Sequence, residues 1–139
     1  MRLVNRTYDE LRPGESAELK RLVTPDDLYV FAAASGNYNP MHLPEADGDG
    51  DGRPEQVAPG MYVASLISAV LGNMLPGPGT LYRSQSLSFG DRAHAGDELV
   101  CRVGVLEKLP EGGVRLSTEV RRVADDAIIV TGEAEVIAP

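Results

Sequence analysis

Gly60-Met61-Tyr62-Val63-Ala64-Ser65-Leu66-Ile67-Ser68-Ala69-Val70-Leu71-Gly72-Asn73-Met74-Leu75 decides the fold of this chain, because it is apolar on nearly every side and carries no charge. A helix with that pattern has to lie among other elements rather than on a surface. The spacing predicts a helix from Met61 to about Leu75, opened by Gly60 and ended by Pro76, with Gly72 and Asn73 loosening its last turn. The uncharged span runs from Gln56 to Tyr82, but its prolines and glycines leave only about 15 continuous helical residues, short of the roughly 20 that a bilayer needs. The segment is therefore read as a helix buried in protein.

Downstream the chain is read as strand after strand. Leu81 to Phe89 comes first, then Glu98 to Leu109, with Leu99, Cys101, Val103 and Val105 alternating against more polar neighbours. After a tight turn at Glu111-Gly112-Gly113, Val114 to Val123 sets Val114, Leu116, Thr118 and Val120 on one face. Asp125-Asp126 turns the chain into Ile128 to Ile137, which alternates again. Successive hairpins with this period predict an antiparallel sheet with one dry face, and only the uncharged helix is apolar enough to cover it. The expected class is α+β, one antiparallel sheet wrapped around one long helix, as a single domain over residues 1–139.

Upstream, a turn at Pro13-Gly14 leads into a strand over Ser16 to Val23. Thr24-Pro25-Asp26-Asp27 then combines a capping hydroxyl, a proline at the first helical position and two acids at the positive end of the dipole. The helix it starts runs from Asp26 to Ala34 and stops at Gly36. The polar turn Asn37-Tyr38-Asn39-Pro40-Met41-His42 follows, and a polar cluster beside a buried helix start is a place to bind and polarise a carbonyl. From Glu45 to Ala58 the chain is acidic and rich in glycine and proline, a loop in composition. Asp47-Gly48-Asp49-Gly50-Asp51-Gly52 copies half a calcium loop, but position twelve is Ala58 and no helix pair brackets it.

Composition narrows the partners. With a net charge of -8 the chain lacks the basic face that nucleic acid or an anionic membrane requires. The single cysteine, Cys101, excludes an internal disulfide and a multi-cysteine metal site, and its strand position marks a buried, inert thiol. His94 is expected to be a solvated loop residue. The N-terminus has no apolar signal core, so the cytoplasm is the expected location.

These segments together resemble the MaoC-like, R-specific enoyl-CoA hydratases of hotdog fold. The resemblance rests on Phe31 through His42, on Gly60-Met61 through Ser65-Leu66-Ile67-Ser68, on Leu75-Pro76-Gly77-Pro78-Gly79-Thr80, on Gln85-Ser86-Leu87 and on Gly96-Asp97. The ending Gly132 to Pro139 is similar to the hydratase-like domain fused ahead of some phosphate acyltransferases. The likeness implies addition of water to a trans-2-enoyl thioester of CoA or acyl-carrier protein, or the reverse. It further implies a homodimer with the pocket at the subunit boundary, and it calls for no cofactor and no metal. Carried over by position, His42 and the residue at Asn37 do the proton work. The backbone N–H of Gly60 is the oxyanion donor, Ser68 orients His42 or a water, and Asn39 and Met61 line the substrate site.

The chain departs from that family at three places. Asn37 stands where the family has an Asp, and an amide cannot accept a proton near neutral pH. Pro59-Gly60 replaces the usual His-Gly, and the stretch from Glu45 to Ala58 is unlike the family's. Two further readings therefore stay open beside a hydratase impaired at Asn37. One is a silenced hotdog module that binds acyl-CoA or scaffolds a partner. The other is a thioesterase, which would want a carboxylate near the helix where the sequence has none from Gln56 to Tyr82.

Overall fold

The computed structural model describes residues 3–43, 52 and 56–139. The acidic loop expected from Glu45, with its half calcium motif at Asp47 to Gly52, lies outside the described residues apart from Gly52 and the closing residues 56–58.

The first strand, β1 (Ser16–Leu22), leads into helix α1 (Pro25–Ser35), which starts as the sequence predicts. Thr24 Oγ1 accepts the Asp27 N–H at 3.1 Å, Pro25 occupies the first turn, and Gly36 at φ 78° closes the helix in the left-handed region that disfavours other residues. The uncharged helix, α2, spans Gly60–Asn73, ending two residues earlier than the sequence suggested. The N-terminal segment covers its end, with Val4 N–H donating to Asn73 O and Arg6 N–H to Pro76 O, both at 2.8 Å. The first of these bonds satisfies a carbonyl that the helix terminus leaves without a partner.

The remaining strands are β2 (Leu81–Gln85), β3 (Ser88–Phe89), β4 (Glu98–Lys108), β5 (Gly113–Arg122) and β6 (Ile128–Ile137). Among the described residues they form with β1 one antiparallel sheet in the order β1-β4-β5-β6-β2, with β3 also paired to β6. The expected single strand from Leu81 to Phe89 is thus two. Ser86 breaks it, because its own hydroxyl accepts the Glu133 N–H at 2.9 Å in place of a regular ladder bond.

α2 packs against β1, β4, β5 and β6. Val63, Ile67 and Val70 on the helix meet Leu99, Cys101 and Val103 of β4 and Val114, Leu116 and Val120 of β5, all at 0% exposure. The alternation predicted for β4 and β5 is the alternation observed, including Thr118, whose buried hydroxyl accepts from Gln85 Nε2 at 2.9 Å. This is the hotdog arrangement that the resemblance implied. One expectation needs correcting: α2 is not enclosed all round. Met61, Ser65 and Ser68 share a face by helical spacing and stay exposed, since a single sheet wraps only the opposite side.

Ile67 sits fully buried at the helix centre. Ile67→Ala should lower the unfolding free energy by about 2–5 kcal/mol in urea titrations at fixed protein concentration, whereas Ser68→Ala should leave it within about 0.5 kcal/mol.

Candidate active site

The polar turn after α1 is a chain of side-chain-to-backbone bonds. Asn37 Oδ1 accepts the Asn39 N–H at 3.2 Å, and Asn39 Oδ1 accepts the Met41 N–H at the same distance. Asn39 thereby caps a single helical turn, Pro40–His42, with proline at its first position. Short amide side chains favour this local bonding, which is why the motif forms a turn instead of prolonging α1.

His42 ends that turn with its Nδ1 2.6 Å from the carbonyl oxygen of Val57. A carbonyl can only accept, so Nδ1 carries the proton and donates it, and in the neutral imidazole the lone pair is then on Nε2. Val57 N–H returns a bond to Met41 O at 3.1 Å, which ties the turn to the segment before α2 from both sides. That segment is anchored in turn: Ala58 N–H donates to Ala93 O and Ala95 N–H to Gln56 O, each at 2.8 Å, around a bridge between Val57 and His94. His94 is accordingly not the solvated loop residue expected. Its side chain is half-buried, and its N–H donates to Asp97 Oδ2 at 2.9 Å.

Directly after this anchor, Pro59 leads into Gly60, and no side chain caps the N-terminus of α2. The first N–H groups of the helix are therefore left for solvent or a ligand, at the positive end of the dipole. Gly60 allows Phe89 to lie against the helix start: a Cβ built at position 60 would stand 2.7 Å from Phe89 Cε1.

His42 and Gly60 line one cavity of about 300 Å³, walled also by Phe89, Asp91 and Arg92. Met61 and Ser68 belong to a second cleft of about 430 Å³, between the open face of α2 and Tyr82 and Gln85 of β2. Asn37 and Asn39 are exposed on the turn and line neither. The structure thus joins two of the residues singled out from the sequence, sets two in a neighbouring cleft, and gives Asn37 and Asn39 a place in the turn that holds His42. Within one chain Ser68 does not share the cavity of His42.

The sequence reading missed Phe89 and Asp91, because β3 and the residues after it reach the helix start only through pairing with β6. The cavity wall carries charge of both signs. Arg122, reaching over from β5, donates through Nη2 to Asp91 Oδ2 and through Nη1 to Arg92 O at 2.7 Å. That guanidinium, followed by the Arg92 N–H at 2.8 Å from Oδ1, holds the Asp91 carboxyl below the usual carboxylate range. Among the described residues no group of three or more His, Cys, Asp and Glu side chains is placed to hold a metal ion.

A family model described as MaoC like domain matches residues 10–126 of the chain. An (R)-specific enoyl-CoA hydratase of Rhodospirillum rubrum is 34% identical over 99% of this chain and 94% of its own. A 3-hydroxybutyryl-CoA dehydratase of Methylorubrum extorquens is 37% identical over 95% and 83%. Among solved structures, an R-hydratase of Pseudomonas aeruginosa in the unliganded form superposes with a TM-score of 0.91 at 43% identity, covering 97% of this chain and 86% of that one.

Cys101 offers no rival nucleophile. It is fully buried on β4, and desolvation, with the charge of Glu119 adding to it, pushes its thiol up to about 12. At pH 9 an exposed thiol, with a pKa near 8.5, is mostly thiolate, whereas this one keeps its proton. The folded protein should resist alkylation by iodoacetamide at that pH and react once urea unfolds it, as read by mass spectrometry.

Proposed function

The chain belongs to the MaoC-like domain family, and from that premise we propose that it is an acyl-thioester hydratase, adding water to a trans-2-enoyl-CoA to give a (R)-3-hydroxyacyl-CoA or running the reverse dehydration. The observation that carries this reading is the cavity shared by His42 and the uncapped start of α2 at Gly60.

Hydration of an enoyl thioester needs a base for the water, an acid for the α carbon, and a place for negative charge on the thioester oxygen. The Val57 carbonyl fixes the proton on Nδ1 of His42, so Nε2 is the nitrogen free to take a proton from water. As the water oxygen bonds to the β carbon, the double-bond electrons move toward the thioester oxygen. In this reading the Gly60 N–H, backed by the helix dipole, receives that enolate charge. The imidazolium then returns its proton to the α carbon. No proton is left over, so one imidazole completes the cycle with Asn37 confined to hydrogen bonding.

The acyl chain has a route in the cleft where Met61 and Ser68 face β2. We further propose that two copies associate across this face. Among the described residues the strand β2 pairs with β6 on one side only, and Met61, Leu81, Tyr82 and Phe89 are exposed apolar side chains at or near that edge. The pocket would then be completed at the subunit boundary, with the CoA or carrier-protein arm entering from solvent.

A silenced acyl-CoA-binding module is the second reading, favoured by the exposed, internally bonded Asn37. Assay of crotonyl-CoA hydration, followed through loss of the enoyl-thioester absorbance, separates the two. The wild type should turn over, and His42→Ala should lower kcat by about 10²–10⁴-fold. Unchanged turnover in His42→Ala removes the imidazole from the mechanism. Binding of crotonyl-CoA without turnover, in both the wild type and Asn37→Asp, establishes the module instead.

A further inference from the structure

Asn37 brings no carboxylate and stands outside the cavity of His42, yet that cavity does not lack one. Asp91 lines it together with His42 and Gly60, and among the described lining residues it carries the only carboxylate. Resting on the hydratase reading, we propose that Asp91, in the bend that follows β3, holds the attacking water for His42.

The geometry around Asp91 suits holding and not proton abstraction. Its Oδ1 accepts the Arg92 N–H at 2.8 Å and its Oδ2 is bonded by the Arg122 guanidinium, which is itself nearly buried. Each carboxylate oxygen has two lone pairs, so each keeps room for one more donor. A carboxylate clamped in this way stays ionised throughout the cycle. It is a poor base but a strong acceptor, and it opposes the positive charge that appears on His42 when the imidazole takes a proton. The side chain is 56% exposed, so water from solvent can reach it.

The step balances with the groups named. One hydrogen of the water is bonded to Asp91 and stays on the oxygen as the new hydroxyl proton. The other passes to Nε2 of His42 as the C–O bond forms at the β carbon, and from there to the α carbon. The Asp91 carboxylate begins and ends ionised, so no further acid, base or co-reactant is required.

Arg122 also provides the control. Asp125 accepts from Arg122 Nε at 2.9 Å and from Nη2 at 3.0 Å, and Asp125 stands in the β5–β6 turn, outside the cavity lining. Removing either carboxylate costs Arg122 one ion pair, but only Asp91 faces His42's cavity.

The test is steady-state hydration of crotonyl-CoA by the full chain and by Asp91→Asn, Asp91→Glu, Asp125→Asn and His42→Ala, with melting temperatures measured alongside. Asp91→Asn should lower kcat about tenfold to a hundredfold with KM held within about threefold, the scale of a lost hydrogen bond to a charged group. Asp91→Glu should recover part of the loss, and Asp125→Asn should match the wild type. A kcat for Asp91→Asn equal to wild type, while His42→Ala is inactive, overturns the proposal and leaves the hydratase reading intact. Equal losses in Asp91→Asn and Asp125→Asn also overturn it, by tracing the effect to Arg122. A wild type without turnover fails the hydratase reading itself.

Discussion

A helix without a charge is a liability in water, and the fold is organised around hiding α2. Val63, Ile67 and Val70 are fully buried against β4 and β5, each side chain contributing roughly 1.5–3 kcal/mol relative to exposure. The sheet must curve to reach the helix from several strands at once, and β1, β4, β5 and β6 all do so. Wrapping from one side has a second effect. It leaves the N-terminus of α2 at a cavity and one narrow face, Met61, Ser65 and Ser68, open to whatever lies beside it.

His42 belongs to a different part of the chain and is brought to that helix start almost entirely by backbone bonds. The relay runs from Asn37 to Asn39 to the Pro40–His42 turn, and from His42 to Val57, whose strand-like segment is pinned beside Ala93 and His94. Pro59 carries the pinned segment straight into α2. Side chains so placed inherit their position from the main chain, which is stiffer than a surface loop. In the lining of the same cavity the charges are paired through Arg122, so the Asp91 carboxylate is not left uncompensated.

Local chemistry was legible in the sequence wherever one element decided its own form. The Thr24 cap, the glycine stop at Gly36, the period-two burial of Leu99 to Val105 and of Val114 to Val120, and the uncharged helix all follow from neighbours a few residues away. What escaped depended on distant partners. The strand from Leu81 breaks because Ser86 bonds Glu133, and His94 is half-buried because Val57 bridges to it. Ser68 and His42 were grouped by resemblance, but helical spacing aims Ser68 along the open stripe of α2 while His42 sits at the helix start. The place of Asp91 in the cavity wall was invisible because it depends on β3 pairing with β6.

The acceptor that fixes the tautomer of His42 is a peptide carbonyl. Any amino acid at position 57 offers the same oxygen, so no point substitution there deletes the contact outright. Drift in side chains around the histidine can alter what the cavity admits, while the identity of its basic nitrogen stays hard-wired into the polypeptide itself.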